Sequence, residues 1–541
     1  MSARAIARVP RAAARLAGAP ARGLAAAAAA PPPEPESFAH VKRVAVIGAG
    51  VAGLSAARAL AAQGFSTTIF EAAGEVGGVW RSNYDGFGAQ VPRNLYEFPD
   101  LPMAEVPAWS YPTGAQVHAH TKAFFAKFVE GRAALRLHTR VAALRPRADG
   151  ARGWLVDARD ARDAGAAAAP AEAFDFVVIS TGLYSRPFVP ALPGAADFGG
   201  AVVHSTAFTD AAVARGKRVV VLGGAKSAAD CALAAARAGA ASTTLLSRAA
   251  HWATPRNIAG AIPFQFVFLS RFGQALVSWY KGALPNAAPP SVAAAHAVLA
   301  PIMRPIFGLV EALFAFQLGL RGPRAPKLDV VADFYGFAAV FDGALQAALD
   351  ARAVVGERGA AVRLRPGAVK LADGRLLPCD LVVAATGFAK DHGALLPAET
   401  VAALGAADDG LYLYRHTLPA AAGAAARDLA FVGAEVASIS NIATSALQAE
   451  WLARLLAGKL ALPARARMAD AVAAHAAWAR SWMPQTASRA ALVLLHQTHY
   501  HDALLKDMGE RHRRKGNPLA ELFMPYRPAD YRGVCSGAPA S

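Results

Sequence analysis

Three glycines at fixed spacing follow a short apolar strand pattern at residues 44–47 and precede a helical pattern. They are Gly48, Gly50 and Gly53. The first makes a tight turn, the second lets a pyrophosphate approach the backbone, and the third lets helix and strand pack closely. Glu71 ends the next apolar run. Because a carboxylate there accepts a hydrogen bond from a ribose 2′-hydroxyl and repels a 2′-phosphate, this stretch predicts a dinucleotide site for a cofactor with a free 2′-hydroxyl.

A second strand–glycine–helix pattern contains Gly223, Ala225 and Ser227. Ala225 takes the place of the middle glycine. Its methyl group costs little if φ is negative, but it stands where a pyrophosphate must approach. The strand that follows this helix ends in Ser247 and Arg248 rather than in an acid. Since a guanidinium can hold a 2′-phosphate in a fork of hydrogen bonds, this second site predicts NADPH.

Two strand patterns far apart in the chain share the ending Asp-x-Val-Val-x-[Ser/Ala]-Thr-Gly. They lie at residues 174–182 and 379–387. We interpret them as the points where the chain leaves the first fold and returns to it, with the second unit between them. The predicted fold class is therefore α/β, with two nested Rossmann-like dinucleotide-binding domains, the first discontinuous and the second inserted in it.

An unusually apolar stretch at residues 259–320 is predicted to form helices inserted in the second unit. Its later part is interrupted by Arg304, Pro305 and Glu311, and these charges and the proline argue against a membrane-spanning helix. Three interpretations stay open: the helices cover a substrate tunnel, they lie on a membrane face, or they pack as ordinary core.

The bulk composition limits the classes of function. The chain has 541 residues, of which 55% are hydrophobic, so two or more domains are expected. The net charge is +17, but no basic block is interleaved with aromatic residues, and we expect no nucleic-acid binding. The three cysteines, Cys231, Cys379 and Cys535, form no C-x-x-C pair, which excludes a dithiol redox centre of that kind and fits a reducing compartment.

The first 33 residues contain no acid, and five arginines recur at spacings that place them on one helical face. This pattern is typical of an organelle transit peptide rather than of a secretory signal. We therefore expect residues 1–40 to direct the protein to a chloroplast or a mitochondrion. The alternatives are an alanine-rich extension that carries no targeting signal, and a cytoplasmic or membrane-associated protein.

The segment between the two units narrows the class of protein. Phe198, Gly200, His204 and Phe208 form the pattern F-x-G-x-x-x-H-x-x-x-[YF]. It resembles the identifying motif of the flavin-containing monooxygenases and their Baeyer–Villiger relatives, the class B flavoprotein monooxygenases. The resemblance covers residues 41–533 and is nearest to the plant and algal branch, akin to the plant pipecolate N-hydroxylase. Further segments that carry it are 77–80, 95–102, 248–252, 386–388, 441–445 and 519–526.

The resemblance implies the cofactors and a division of the chain between them. FAD would bind to Gly48, Gly50, Gly53, Glu71, Gly78 and Trp80. NADPH would bind to Gly223, Ala225, Ser227 and Arg248. The implied domains are a leader at 1–40, an FAD-binding domain at 41–190 and 336–533, an NADPH-binding domain at 191–335, and a tail at 534–541. Two residues are candidates for a catalytic role: His204, and Gln90, which stands where family members often have an asparagine near the flavin.

The implied reaction is NADPH- and O₂-dependent oxygen transfer through a flavin C4a-hydroperoxide to a nitrogen or sulfur atom of a small molecule. One alternative is a Baeyer–Villiger enzyme that oxidises ketones. Another is a nucleotide-binding flavoprotein without oxygenase activity, suggested by Ala225 and Gln90. The spacing of His496, His499 and His501 is poor for one helix face, so we predict no metal site and expect these histidines to be solvated or packed.

Overall fold

The computed structural model describes residues 37–535, except for 148–150, 164, 166–168, 185, 282–289, 321–323, 338, 342, 391 and 421–422. The expected leader lies outside the described residues up to position 36, and so does the tail from position 536. The targeting prediction therefore concerns a segment of which the structure gives no account.

The described residues alternate between strands and helices along most of the chain. The strands are β1 (Arg43–Ile47), β2 (Ser66–Phe70), β3 (Ala134–Arg136), β4 (Thr139–Pro146), β5 (Trp154–Asp160), β6 (Glu172–Phe174), β7 (Phe176–Ile179), β8 (Arg186–Pro187), β9 (Ala201–His204), β10 (Arg218–Leu222), β11 (Ser242–Ser247), β12 (Ala253–Pro255), β13 (Asn257–Ile258), β14 (Ile262–Pro263), β15 (Ala339–Phe341), β16 (Val355–Arg358), β17 (Ala361–Arg365), β18 (Ala368–Leu371), β19 (Leu376–Pro378), β20 (Leu381–Ala384), β21 (Phe388–Ala389), β22 (Leu429–Phe431), β23 (Ala437–Ser438) and β24 (Leu492–Leu494). The helices are α1 (Val51–Ala62), α2 (Gly114–Phe128), α3 (Lys226–Arg237), α4 (Phe264–Phe268), α5 (Arg271–Lys281), α6 (Pro290–Gln317), α7 (Val330–Phe337), α8 (Ala344–Asp350), α9 (Ala398–Leu404), α10 (Asn441–Leu456), α11 (Arg465–Trp482), α12 (Gln497–Asp507) and α13 (Pro518–Phe523).

The first unit is built on a parallel sheet with the order β22-β7-β1-β2-β3. The side chains of β1 alternate between two hydrophobic layers, as they must in a strand. Val44 and Val46 pack in the layer that contains α1 and α10, whereas Ala45 and Ile47 pack in the layer that contains the small sheet β4-β5-β6. Because both faces are covered, the central strand is apolar throughout and not alternating in polarity.

The second unit repeats this plan with the strand order β16-β11-β10-β20-β9, again parallel. Val219 and Val221 of its central strand β10 pack on α3, and Val220 and Leu222 pack on the antiparallel sheet β17-β18-β19. This confirms the α/β class and the insertion of one dinucleotide-type unit in the other.

The chain returns to the first sheet later than predicted. The sequence placed the return at residue 336, but β16 and β20 both pair within the second sheet, and the first sheet resumes only with β22. The boundary at 335/336 is therefore wrong, and the second unit extends to Ala384. The repeated ending at 379–387 marked the crossing correctly. β16 gave no signal because it is a partly exposed edge strand without an apolar run.

The repeated strand ending has a structural cause at its aspartate. The Asp175 carboxylate accepts the backbone N–H groups of Lys42 and Arg43, each at 2.8 Å, where β1 begins. Asp380 accepts the backbone N–H of Arg218 at 2.9 Å, where β10 begins. The Arg218 guanidinium also donates to Asp380 and lowers the pKa of this carboxyl group to about 2. Each aspartate therefore holds the start of the central strand next to it.

The predicted helical insertion is present as α4, α5 and α6. α6 passes through Arg304, Pro305 and Glu311 without interruption. Its segment Ala297–Gln317 is long and apolar enough to cross a membrane by length and composition, and only 17% of its most apolar window is buried. Exposed apolar side chains along it include Val298 at 70% and Phe316 at 73%.

Candidate cofactor-binding site

The loop between β1 and α1 tolerates only glycine at two of its three fingerprint positions. Gly48 has φ +106°, and a Cβ there would lie 2.7 Å from the Ser180 carbonyl oxygen. A Cβ on Gly53 would lie 1.9 Å from the Gly48 carbonyl oxygen. Gly50 precedes α1, whose first turn receives no side-chain cap and contains no acid. The amide groups at this helix N-terminus are therefore available to an anion.

Glu71 lies directly beside this loop. Its carboxylate accepts the N–H of Ala49 at 2.7 Å and the N–H of Ala73 at 2.8 Å. These two bonds fix the acid at the tip of β2, where a ribose would pass.

The pair Gly77–Gly78 closes the other side of the loop. Gly77 donates its N–H to the Ala49 carbonyl at 2.9 Å, and a Cβ on Gly78 would lie 3.0 Å from the Gly50 Cα. Both glycines have positive φ. Trp80 follows, half-buried, with its ring edge-on to Tyr96 at 5.3 Å between centroids. The backbone of this glycine pair therefore lies directly against the loop between β1 and α1.

The loop of the second unit has the same backbone with different side chains. Gly223 has φ +139°, and a Cβ there would lie 2.3 Å from the Ala385 carbonyl oxygen. Ala225 has φ −84° and ψ −174°, close to the −78° and −175° of Gly50. Alanine therefore adopts this conformation without strain, as the sequence predicted for a negative φ. α3 likewise begins without a side-chain cap, with Ser227 in its first turn.

The strand register identifies the counterpart of Glu71. Ile47 pairs with Phe70 in the first unit and Leu222 pairs with Leu246 in the second. Ser247 therefore occupies the position of the acid, and Arg248 comes one residue later. The Arg248 side chain is exposed. The second strand tip thus combines a small neutral residue with a cation.

The two residues predicted as catalytic both make contacts between segments. The Gln90 side-chain oxygen accepts the N–H of Val340 at 3.0 Å, which joins the loop of the first unit to β15. His204 is buried, with Nε2 2.9 Å from the Gly387 carbonyl oxygen and Nδ1 2.9 Å from the Thr206 hydroxyl. Burial lowers the pKa of His204. With both nitrogens engaged, this histidine joins the segment between the two units to the second crossing segment, at Gly387.

The two units also meet directly beside the second loop. Tyr84 of the first unit donates its hydroxyl to the Asp230 carboxylate of α3 at 2.9 Å, and Lys226 pairs with the same carboxylate. Burial and the Asp230 charge raise the pKa of Tyr84. The N–H of Ala211 donates to Asp85 at 3.0 Å. These contacts keep the loop at 84–87 against the second unit.

Three polar residues at the ligand-side edge of the first unit were not predicted from the sequence. Glu435 is buried after β22 and pairs with Lys390 at 2.7 Å, which follows the Thr386-Gly387-Phe388 segment. Asn94 is buried in the loop after Gln90, and neither of its side-chain polar atoms has a partner among the described residues. The only signal was their position just beyond strand ends or glycine segments.

The three C-terminal histidines divide into two buried residues and one exposed residue. His496 Nε2 lies 3.2 Å from the Ser278 hydroxyl, and His501 Nε2 lies 2.8 Å from the Thr444 hydroxyl. Burial lowers the pKa of each of these two to about 3. His499 is exposed. Within the part of the chain that the structure describes, no group of three His, Cys, Asp or Glu residues is arranged to hold a metal ion.

The residues present fit FAD in the first unit and a phosphorylated dinucleotide in the second. Each unit offers an uncapped helix N-terminus behind a glycine turn that a Cβ would obstruct. The two strand tips differ in charge, which suits two different riboses.

Solved structures with this arrangement are flavoprotein monooxygenases. S-allyl-L-cysteine S-oxygenase from Allium sativum superposes with a TM-score of 0.56 at 20% identity, covering 87% of this chain and 89% of that one. A steroid monooxygenase bound to NADP superposes with a TM-score of 0.57 at 20% identity, covering 87% of this chain and 98% of that one. These likenesses define the fold as that of the class B flavoprotein monooxygenases.

The sequence comparisons show similarity to the same class of enzymes. Residues 41–288 match the family model of flavin-binding monooxygenase-like proteins. A probable flavin-containing monooxygenase 1 of Arabidopsis thaliana is 28% identical over 528 residues, which cover 91% of this chain and 96% of that protein. The chain is therefore similar to flavin-containing monooxygenases over nearly its whole length, and these similarities support an FAD-dependent monooxygenase.

Proposed function

We propose that the protein uses NADPH and O₂ to transfer one oxygen atom to a nucleophilic nitrogen or sulfur atom of a small molecule. The observation that carries the coenzyme assignment is the contrast between the strand tips. Glu71 is fixed beside the first loop, whereas Ser247 and Arg248 occupy the second tip. An acid excludes a 2′-phosphate and a guanidinium binds it, so the first unit takes FAD and the second takes NADPH.

The substrate class rests on the relatives. The Arabidopsis thaliana flavin-containing monooxygenase matches over nearly its whole length, whereas the ketone monooxygenases resemble this chain in fold at 17% sequence identity. The garlic structure is that of an S-oxygenase. This favours a soft nucleophile over a ketone. The plant and algal branch of the family stays a proposal on the same grounds.

The residues of the chain would bind and orient the two cofactors and join the two units. The redox and oxygen chemistry would be supplied by the bound FAD. Gly48, Gly50, Gly53, Gly78 and Glu71 would hold FAD, with Trp80 beside it. Gly223, Ser227 and Arg248 would hold NADPH. Tyr84 and Asp230 keep the two units in contact.

Replacing Arg248 tests the coenzyme assignment. Arg248→Ala is expected to weaken NADP⁺ binding by about tenfold to 100-fold, because a charge-assisted hydrogen bond is lost, and to leave NAD⁺ binding unchanged. Dissociation constants of both nucleotides would be measured on the FAD-loaded protein. Arg237→Ala is the matched control, since Arg237 is exposed at the opposite end of α3. Equal NADP⁺ preference in Arg248→Ala and in the parent protein would refute the assignment.

The substrate class is tested by NADPH consumption and product analysis with amines, amino acids, thioethers and ketones. N-oxides, hydroxylamines or S-oxides would support the proposal, and esters or lactones from ketones would favour the Baeyer–Villiger alternative. A yellow protein without NADPH-dependent O₂ uptake would favour the flavoprotein that lacks oxygenase activity.

Two proposals concern the place of the protein in the cell. Delivery to an organelle is tested by fusing residues 1–40 to a fluorescent protein, and diffuse cytosolic fluorescence would contradict it. Peripheral membrane contact through the insertion is supported by the exposed apolar side chains of α6. Release from membranes without detergent or alkaline carbonate would contradict that contact.

A further inference from the structure

We propose that His251 is a second residue that recognises the 2′-phosphate of the nucleotide, held in place by Asp333. The inference rests on the proposed NADPH site and adds to it a residue that lies outside the glycine fingerprint and the strand tip. Its basis is a small group of side chains around Gly224, the residue between Gly223 and Ala225 in the second loop.

Three side chains converge on Gly224. A Cβ built on this glycine would lie 3.4 Å from the Ser247 Cβ, 3.5 Å from the His251 Cδ2 and 3.5 Å from the Phe337 Cε2. The imidazole edge that carries Nε2 therefore faces the same space as the residue in the position of Glu71. In a dinucleotide-binding unit, the ribose hydroxyls or the 2′-phosphate lie at this strand tip.

The His251 ring is held from two sides. Its Nδ1 lies 2.9 Å from Oδ1 of Asp333, and its ring stacks on Phe337 at 4.1 Å between centroids and 8° between planes. Asp333 is only 3% exposed, and its other oxygen accepts the N–H of Trp252 at 2.5 Å. The carboxylate therefore keeps the Nδ1 hydrogen on the protein side. Nε2 is the ring nitrogen that remains to meet a ligand, and the side chain is 31% exposed.

A phosphate monoester is the ligand that fits this arrangement. Imidazole and phosphate monoester each gain a proton near neutral pH, so one proton between Nε2 and a phosphate oxygen completes a hydrogen bond whichever group brings it. A ribose 2′-hydroxyl is uncharged and offers a weaker bond. Arg248, three residues earlier on the same segment, supplies the fixed positive charge. Asp333 of α7 is the charged group in contact with His251, and Arg248 follows the end of β11.

The test compares nucleotides that differ only in the 2′-phosphate. Dissociation constants of NADP⁺ and NAD⁺ would be measured on the FAD-loaded protein for the parent, His251→Phe and His251→Asn. The phenylalanine retains the stack on Phe337 without a polar atom, and the asparagine is a smaller polar alternative. Arg248→Ala and Arg237→Ala serve as positive and negative references. We expect both His251 variants to weaken NADP⁺ by about tenfold and NAD⁺ by less than about twofold.

The outcomes separate the two proposals. Equal weakening of both nucleotides would mean that His251 supports the adenine or the loop, and would overturn the inference. Unchanged NADP⁺ binding would also overturn it. If Arg248→Ala abolishes the NADP⁺ preference while the His251 variants retain it, only the role of His251 fails. If the parent protein itself binds NADP⁺ no more tightly than NAD⁺, the assignment of NADPH to the second unit is wrong, whatever the His251 variants show.

Discussion

The two nucleotide units share a backbone and differ in their side chains. Gly50 and Ala225 occupy equivalent positions with φ and ψ that agree within about 6°. Gly53, by contrast, corresponds to Ala228, which is buried in the first turn of α3. At this position α1 therefore lies closer to its loop than α3 does, because only α1 leaves no room for a Cβ. A tight, all-glycine loop suits a cofactor that stays bound, and a looser loop suits a nucleotide that exchanges.

The acid and the cation at the strand tips sharpen this contrast. Glu71 is engaged with two backbone N–H groups, so it is fixed before any ligand arrives. Arg248 is exposed, so it must be ordered by the ligand. Because Glu71 is already held in place, binding of a ligand to the first unit costs less side-chain entropy. In the second unit, the Arg248 side chain would lose conformational freedom each time a nucleotide binds.

The largest expected effect comes from closing the tightest point of the first loop. Gly53→Ala would place a methyl group 1.9 Å from the Gly48 carbonyl oxygen. We expect a destabilisation of about 3 kcal/mol or more and loss of bound FAD, measured by thermal unfolding and flavin absorbance. The reciprocal change, Ala228→Gly, is expected to cost only about 1 kcal/mol. Similar losses of stability in Gly53→Ala and in Ala228→Gly would contradict the difference between the two units.

The next effect tests the strand tip. Ser247→Glu would place in the second unit the acid that the first unit has. Because two like charges about 4 Å apart repel strongly, we expect NADP⁺ affinity to fall by about 100-fold while NAD⁺ affinity is retained or raised. Titration of the FAD-loaded protein measures both constants. Retained NADP⁺ affinity would show that the 2′-phosphate lies elsewhere.

A smaller effect distinguishes ligand approach from folding. A Cβ on Gly50 would lie 3.5 Å from the Gly78 Cα, an ordinary contact. Gly50→Ala should therefore fold with an unchanged melting temperature after removal of FAD, yet bind FAD about tenfold more weakly. Flavin release monitored by fluorescence measures this. A lowered melting temperature of the FAD-free protein would mean that the glycine serves the fold itself.

The smallest effect concerns the equivalent alanine. Ala225→Gly removes the methyl group where a pyrophosphate approaches, without any conformational need, because φ is −84°. We expect NADP⁺ and NAD⁺ to bind about twofold to threefold more tightly, since both share the pyrophosphate. Isothermal titration would resolve such a change. Tightening of NADP⁺ alone would be inconsistent with a pyrophosphate contact.

The parts of this site that are local in sequence were predictable. An apolar strand, a glycine turn and a helix follow one another within a few residues, so both glycine turns and both strand tips could be located from the sequence. The nesting also followed from the repeated ending at 174–182 and 379–387. The return at 336 failed because the edge strand Val355–Arg358 has no apolar run to mark it.

Contacts between distant segments left no such signal. Gln90 meets Val340 and His251 meets Asp333, at separations of 250 and 82 residues. Neither pair has a spacing or composition that marks it. Folding brings α7 beside His251 and β15 beside Gln90. The Asp333 carboxylate and the Gln90 amide therefore meet their partners only in the folded protein.

The aspartates that precede β7 and β20, Asp175 and Asp380, have a consequence for how the protein can change. Each anchors its sheet at the amino ends of the strands, the edge opposite the one where a nucleotide binds. The alignment of the strands therefore does not depend on which residue at the opposite edge recognises the ligand. Exchanging an acid for a cation at the opposite edge of either sheet would therefore leave these strand contacts intact.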